Sequence, residues 1–189
     1  MEVHDYEILV DELAASRDAL ALAASEWDML ITSGGVSVGE EDHLKQAIRE
    51  LGELHMWRLA IQPGKPLAFG EVNGKPWIGL PGNPAAALIT SLVVARPFLL
   101  SAQGCTEVLP KPLRLTAGFA WRKPNNRRQY LRARLEQVDG EMRVCLHPRQ
   151  GSAMLTSASW AEGLAIVERN RTLEEGETVE YLPFSELLG

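Results

Sequence analysis

Cysteine is almost absent from this 189-residue chain: Cys105 and Cys145 stand alone, with no CxxC spacing. A disulfide framework is excluded, and a chain of this length buries roughly 70% of its unfolded surface without one. Histidine is equally sparse. His4, His43, His55 and His147 lie too far apart in sequence to form a local zinc motif. Aromatic residues make up 6%, and the five tryptophans form no stacking stripe. No uninterrupted apolar run approaches the ~18 residues of a membrane span. The first twenty residues carry acids where a secretory signal would carry a basic segment. The chain therefore reads as cytoplasmic, without a membrane partner. Overall basic charge is lacking too: 19 Lys plus Arg face 25 Asp plus Glu, net -6, and a pI near 5.3 argues against a nucleic-acid partner.

The charge is unevenly placed. Residues 1 to 107 hold 7 basic and 15 acidic side chains, whereas residues 108 to 189 hold 12 and 10. Residues 111 to 134 carry eight basic residues and no acid, a stretch that either attracts phosphates or forms a solvated face. The composition shift divides the chain into residues 1–106 and 107–189.

The first part alternates strand and helix signals. EILV (7 to 10) predicts a strand, and Asp11 the cap of an Ala- and Leu-rich helix to about Ser25. DMLIT (28 to 32) predicts a second strand, and Asp42 the cap of a helix ending at Gly52. LHMWRLAI (54 to 61) predicts a third strand, followed by two short strands about a turn at Asn73-Gly74. Asn83 and Pro84 open a long apolar helix that Pro97 should divide. Alternation of this kind implies a mainly parallel, three-layer α/β sheet. Beyond Gly104, LRLTAGF, QYLRARLEQV, EMRVCLH, GLAIVER and ETVEYL read as five strands without a convincing helix, a small all-β barrel-like domain. No internal repeat is present.

Three polar loops follow strands: Thr32 to Asp42, Pro63-Gly64-Lys65-Pro66 and Pro81-Gly82-Asn83-Pro84. Glycines let backbone N–H groups approach an anion, and a following helix adds its positive end. Ser33, Gly34, Gly35, Ser37, Gly39, Gly64, Pro81, Gly82, Asn83 and Pro84 are thus candidate phosphate-binding residues. Acids in such a cradle repel the ligand unless a cation intervenes. Glu40 and Asp42 suggest Mg2+, which takes one or two carboxylates, several waters and phosphate oxygens. Asp42 can cap a helix as well. From position alone, Asp11 reads more readily as a cap than as a ligand, and Lys65 equally as a turn lysine or an oxyanion ligand. Arg58, inside an apolar strand, needs an anionic partner or an edge location.

TSGGVSVGEEDH, WRLAIQPGKPLAFG and GLPGNPAAAL, in this order, resemble the molybdopterin molybdenumtransferase family, MoeA in bacteria and the gephyrin E-domain in animals. HPRQGSAMLTSASWAEGLAIVER, ending in EYLPF, resembles that family's C-terminal β-domain. The resemblance implies Mg2+-assisted hydrolysis of adenylylated molybdopterin with insertion of molybdate, giving molybdenum cofactor and AMP. It further implies a homodimer and a molybdopterin adenylyltransferase partner. By resemblance, Asp11 and Asp42 handle metal and substrate, Arg58 stands at a basic position for the oxyanion or phosphate, and Pro81 and Pro84 shape the pocket loop. Arg132 and Ser152 match residues through which the β-domain reaches the active site. The sequence departs at Gln62, where the resemblance implies lysine and a neutral amide removes one charge. The family carries further N-terminal domains, so the chain is expected to be a fragment that binds part of the substrate without inserting molybdate. A non-catalytic pterin-phosphate-binding or scaffold module is the alternative.

Overall fold

The computed structural model describes residues 1–36, 43–151 and 155–188. Two compact units emerge: Met1–Leu59 with Pro66–Gly82, and Ala60–Lys65 with Asn83–Gly189.

In the first unit, α1 (Leu13–Glu26) buries Ser16, Leu20, Ala23 and Ala24, the one-face spacing of an amphipathic helix. It packs with α2 (His43–Leu51), which contributes Ala47 and Ile48. Between them runs β1 (Leu30–Ser33), and after them come β2 (Gly52–Arg58), β4 (Pro66–Val72) and β5 (Lys75–Leu80). The sheet order is β1-β5-β4-β2. Leu30, Ala68, Val72 and Trp77 share the core with both helices, so the helices cover one face. The β4–β5 hairpin turns at Asn73 (φ 49°) and Gly74 (φ 76°), as the Asn-Gly pair predicts.

The second unit is a closed sheet. β6 (Leu113–Ala117), β7 (Arg128–Val138), β8 (Glu141–Leu146), β9 (Gly163–Val167) and β10 (Thr178–Pro183) pair in the order β7-β8-β6-β10-β9, and β9 returns to β7. These are the five strands that the short runs predict. A short strand, β3 (Ile61–Gln62), adds to β7 in parallel. All five residues of β9 are buried because it serves two cores. Ala165 and Val167 join Leu131, Val144 and Tyr181 inside the barrel, while Leu164 and Ile166 meet Ile89 and Leu92 of the long helix.

That helix begins with α3 (Pro84–Thr90), capped by Asn83, whose Oδ1 accepts from Ala86 N at 3.1 Å. It passes through a π segment, Ser91–Ala95, into α4 (Arg96–Ala102), where Pro97 sits in the first turn. Proline has no N–H for the preceding turn, and the wider π turn absorbs that loss. By length and composition the 19 residues Pro84–Ala102 are apolar enough to cross a membrane. Ile89 and Leu92 instead pack on Tyr130, Leu164 and Leu182, as in a core helix.

The α/β class and the barrel-like second part are as expected, and several details differ. EILV forms no strand: Glu7 adopts φ 60° and Ile8 is 97% exposed. An extended run needs a hydrogen-bonding partner, and β1, β5, β4 and β2 pair only among themselves. Residues 1–10 are instead clasped to the end of α1, where Tyr6 Oη donates to Glu26 and Trp27 Nε1 donates to Tyr6 Oη. Asp11 does not cap α1, for Glu12 occupies the N-cap without a side-chain bond. The 54–61 run divides between β2 and β3 in different units. β1–β5 is parallel, but β4–β5 and β2–β4 are antiparallel, so the first unit's four-stranded sheet is mixed. Two short helices, α5 (Leu155–Trp160) and α6 (Phe184–Leu188), stand where the sequence pattern predicts no helix.

Candidate functional site

In the α/β unit, the candidate residues gather at the carboxyl ends of two parallel neighbours. Ser33 and Leu80 are in register at the ends of β1 and β5, so Gly34 and Pro81 leave the sheet side by side. Gly34 N donates to Leu80 O at 3.1 Å, and Ser33 Oγ donates to Pro81 O at 3.3 Å. A Cβ on Gly82 would stand 3.3 Å from Gly34 Cα, so the loops run against each other. At Gly35 (φ 64°) a Cβ would meet Leu44 Cδ2 at 2.7 Å, which requires glycine. Ser33 and Gly35 are exposed.

Asp11 is brought to the first residue of α2. His43 Nδ1 lies 3.3 Å from Asp11 Oδ1 and 3.2 Å from its carbonyl oxygen. The Asp11 carboxylate is otherwise solvent-facing, with 97% of the side chain exposed. His43 directly follows Asp42 in the chain, so Asp11 borders the segment that holds the other two expected metal ligands. Glu40, Asp42, Ser37 and Gly39 themselves lie outside the described residues, as does Ser152. Arg58 pairs through its backbone with Pro66, and its side chain is likewise outside the description. No cluster of three metal-ligating side chains occurs among the described residues. Mg2+ needs only one or two carboxylates and takes the rest from water and phosphate, and an exposed carboxylate at Asp11 fits such a partial donor set.

The remaining candidates belong to the β unit. The Pro63–Lys65 loop leaves β3 after a cis Gln62–Pro63 bond. Gly64 (φ 113°) packs so closely on α3 that a Cβ would reach Thr90 Cγ2 at 2.4 Å. Lys65 is exposed, with no ion pair to the described residues. Gln62 is engaged: its Oε1 accepts from Asn125 Nδ2 at 2.6 Å and from Arg127 at 3.4 Å. Sequence reasoning does not single out Asn125 and Arg127, and the Pro124-Asn125-Asn126 turn ahead of the arginines is the signal that points to them.

Arg132 is 1% exposed on β7. Its Nε donates to Ser157 Oγ and a terminal nitrogen to Gly151 O, both at 3.0 Å. Gln150 bridges the same strand, accepting from Arg132 N and donating to Arg132 O. Burial pushes the guanidinium pKa down, and no carboxylate among the described residues compensates it. Arg132 therefore fixes the 147–151 loop directly ahead of Ser152.

The basic stretch at 111–134 does not form one cationic face. Lys111 pairs with Glu107, Arg122 with Glu174, Arg128 with Glu168 and Glu180, and Arg134 with Glu136. Pairing thus engages half of its charges, leaving Arg114, Lys123, Arg127 and the buried Arg132 without a carboxylate among the described residues.

Comparison with known proteins matches two family modules in this order. The family described as "Probable molybdopterin binding domain" matches residues 1–101, and the "MoeA C-terminal region (domain IV)" matches residues 114–184. The molybdopterin molybdenumtransferase of Haemophilus influenzae is 35% identical over 191 residues, covering 100% of this chain and 47% of its own length. Molybdopterin molybdenumtransferase 2 of Mycobacterium tuberculosis is 37% identical over 69% of this chain and 34% of its own. Among solved structures, the MoeA molybdopterin biosynthesis protein of Pyrococcus horikosii aligns with a TM-score of 0.67 at 31% identity, covering 93% of this chain and 42% of that one. The chain spans about half or less of the length of these relatives. With both modules in order and the strand-end loops assembled as described, the chain belongs to the molybdopterin molybdenumtransferase family.

Proposed function

We propose that the chain serves molybdenum insertion: Mg2+-dependent reaction of adenylylated molybdopterin with molybdate, releasing AMP and leaving molybdenum at the dithiolene. The carrying observation is the strand-end arrangement in the α/β unit, where Ser33, Gly34, Pro81 and Gly82 meet and Asp11 reaches the start of α2. Backbone N–H groups of such loops hold phosphate oxygens, and an exposed carboxylate beside them favours a cation over a bare anion. Asp11, with Asp42 and Glu40, would hold Mg2+, which when bound offsets phosphate charge. Ser37 and Gly39, which follow in the sequence, belong to the same reading as phosphate contacts. In the β unit, Lys65 supplies a free ammonium for an oxyanion, Gly64, Asn83 and Pro84 set the loop and helix start beside it, and Arg132 positions the loop carrying Ser152. Arg58 adds a further cation to the α/β unit. The homodimer, the molybdopterin adenylyltransferase partner and a cytoplasmic setting belong to the same reading. So does division into modules at 106, which the matched ranges ending at 101 and starting at 114 support.

The test uses the chain with adenylylated molybdopterin, molybdate and Mg2+, following AMP release and, by calorimetry, the Mg2+ dependence of ligand binding. Asp42→Asn retains a helix-capping oxygen but not the charge. It is expected to keep the circular dichroism spectrum and lose the Mg2+ dependence. Binding by the unsubstituted chain that ignores Mg2+ would sink the metal assignment and favour the scaffold alternative.

A further inference from the structure

β7 and β8 pair in antiparallel register from Val138–Glu141 to Ala133–Leu146, which sets Arg132 against His147 as the next pair. A hydrogen-bonded antiparallel pair exchanges two N–H···O bonds. One is present, from His147 N to Arg132 O at 3.1 Å. At the place of the other stands a side chain: Arg132 N donates to Gln150 Oε1 at 2.9 Å, while Gln150 Nε2 donates to His147 O at 2.9 Å and to Arg132 O at 2.8 Å. The amide of Gln150 therefore bridges the donor and the acceptor that the ladder itself would join. Pro148 follows His147 and has no N–H to carry the ladder further.

This rung decides where the chain goes next. Arg132 is 1% exposed, and a donor left unpaired at a buried residue is costly. The turn that carries Gln150 back to it is fastened from inside: Arg149 N donates to His147 Nδ1 at 3.1 Å, and the His147 ring stands T-shaped to Trp160 with centroids 5.1 Å apart. Gly151 follows, its carbonyl accepting from the Arg132 guanidinium at 3.0 Å. Residues 147, 150 and 151 are thus all held to one residue of β7, and residue 152 is next in the chain. Only an amide offers an acceptor and two donors in one plane, and asparagine, one methylene shorter, cannot span the same three groups.

We propose that Gln150 is a positioning residue for substrate binding by the β unit: its side-chain amide takes the last rung between β7 and β8 and so sets the course of the chain leading into Ser152. The proposal rests on the reading of Ser152 as a point where the β unit meets substrate, and the test separates the two. Adenylylated molybdopterin is titrated by calorimetry into the chain and into Ser152→Ala, Gln150→Ala, Gln150→Asn, the Ser152→Ala/Gln150→Ala pair and Gly140→Ala. The last variant strains the turn at the far end of the same hairpin, where Gly140 has φ 83°, without touching the rung. Gln150→Ala, Gln150→Asn and Ser152→Ala are each expected to weaken binding about fivefold or more, the loss of about one hydrogen bond. The double variant should bind no worse than Ser152→Ala alone, as for residues acting in series. Gly140→Ala should lower the denaturation midpoint and leave the affinity unchanged. Gln150→Ala at wild-type affinity with Ser152→Ala weakened overturns the proposal and leaves the Ser152 reading standing. Losses that add in the double variant, or an affinity loss in Gly140→Ala matching that in Gln150→Ala, reduce Gln150 to general stability and overturn the proposal too. Ser152→Ala at wild-type affinity, or no binding by the unsubstituted chain, overturns both. Should Gln150→Ala lose its circular dichroism spectrum, Gln150→Met, which keeps the length of the stem without the amide, decides by the same criteria.

Discussion

Replacing Arg132 separates two reasons for burying a guanidinium. Arg132→Ala removes the donors to Ser157 Oγ and Gly151 O, leaves both acceptors facing a void and opens a cavity along the stem. Hydrogen bonds from a charged donor contribute about 1.5–3 kcal/mol each. Against this stands the cost of holding a charge away from water without a counter-ion. The lowered pKa has that direction, and it offsets part of the gain. The net loss for alanine is expected at about 2–4 kcal/mol. Arg132→Met fills much of the stem volume and removes the uncompensated charge, so its loss should be smaller by at least about 1 kcal/mol. Hydrogen exchange of the β7 amides, read peptide by peptide, reports opening of this unit alone. Calorimetry with adenylylated molybdopterin then asks whether the methionine variant, though folded, binds more weakly. Equal destabilisation by alanine and methionine would refute the charge-burial reasoning. Wild-type affinity in Arg132→Met would show that the guanidinium serves only the loop.

Gly79→Ala should destabilise the α/β unit by about 1–3 kcal/mol, because the new Cβ would lie 2.6 Å from the Trp77 ring and from Val36 Cγ1; an unchanged denaturation midpoint would contradict that packing. Tyr181, 1% exposed, has its phenol pushed up to about 12, chiefly by burial and secondarily by the charge of Glu162. The folded state therefore keeps a proton that the unfolded chain releases near pH ~10. Its stabilising contribution is complete below that pH and is lost as pH rises from about 10 to about 12. Ultraviolet titration should show the Tyr181 phenol ionising only with the alkaline unfolding transition, with Tyr6 and Tyr130 also shifted upward, and titration of all three tyrosines near pH ~10 in folded protein would refute it.

Elements specified by neighbours along the chain are legible in the sequence itself. Short runs bounded by turn residues mark β6 to β10, several of them alternating as a barrel wall with one apolar face requires, whereas β9 is apolar throughout because it serves two cores. Asn73-Gly74 sets the hairpin, because left-handed backbone is cheap there, and Asn83-Pro84 starts α3 through a cap and a missing N–H. The Gly-Gly, Pro-Gly-Lys-Pro and Pro-Gly-Asn-Pro loops are legible for the same reason, as is the family they indicate. What depends on a distant partner is not. EILV has strand composition but no strand to pair with, and 54–61 reads as one run although its ends hydrogen-bond into different sheets. Asp11 looks like a cap until His43, 32 residues away, claims its carboxylate. The basic stretch looks like a single field until Glu168, Glu174 and Glu180 arrive from distant parts of the chain to pair with Arg128 and Arg122. The same folding that neutralises Arg128 leaves Arg127 beside an amide. Charge is fixed by sequence, but only tertiary structure decides which charges remain free to meet a ligand, because Coulomb pairing acts over ångströms in space and is indifferent to separation along the chain.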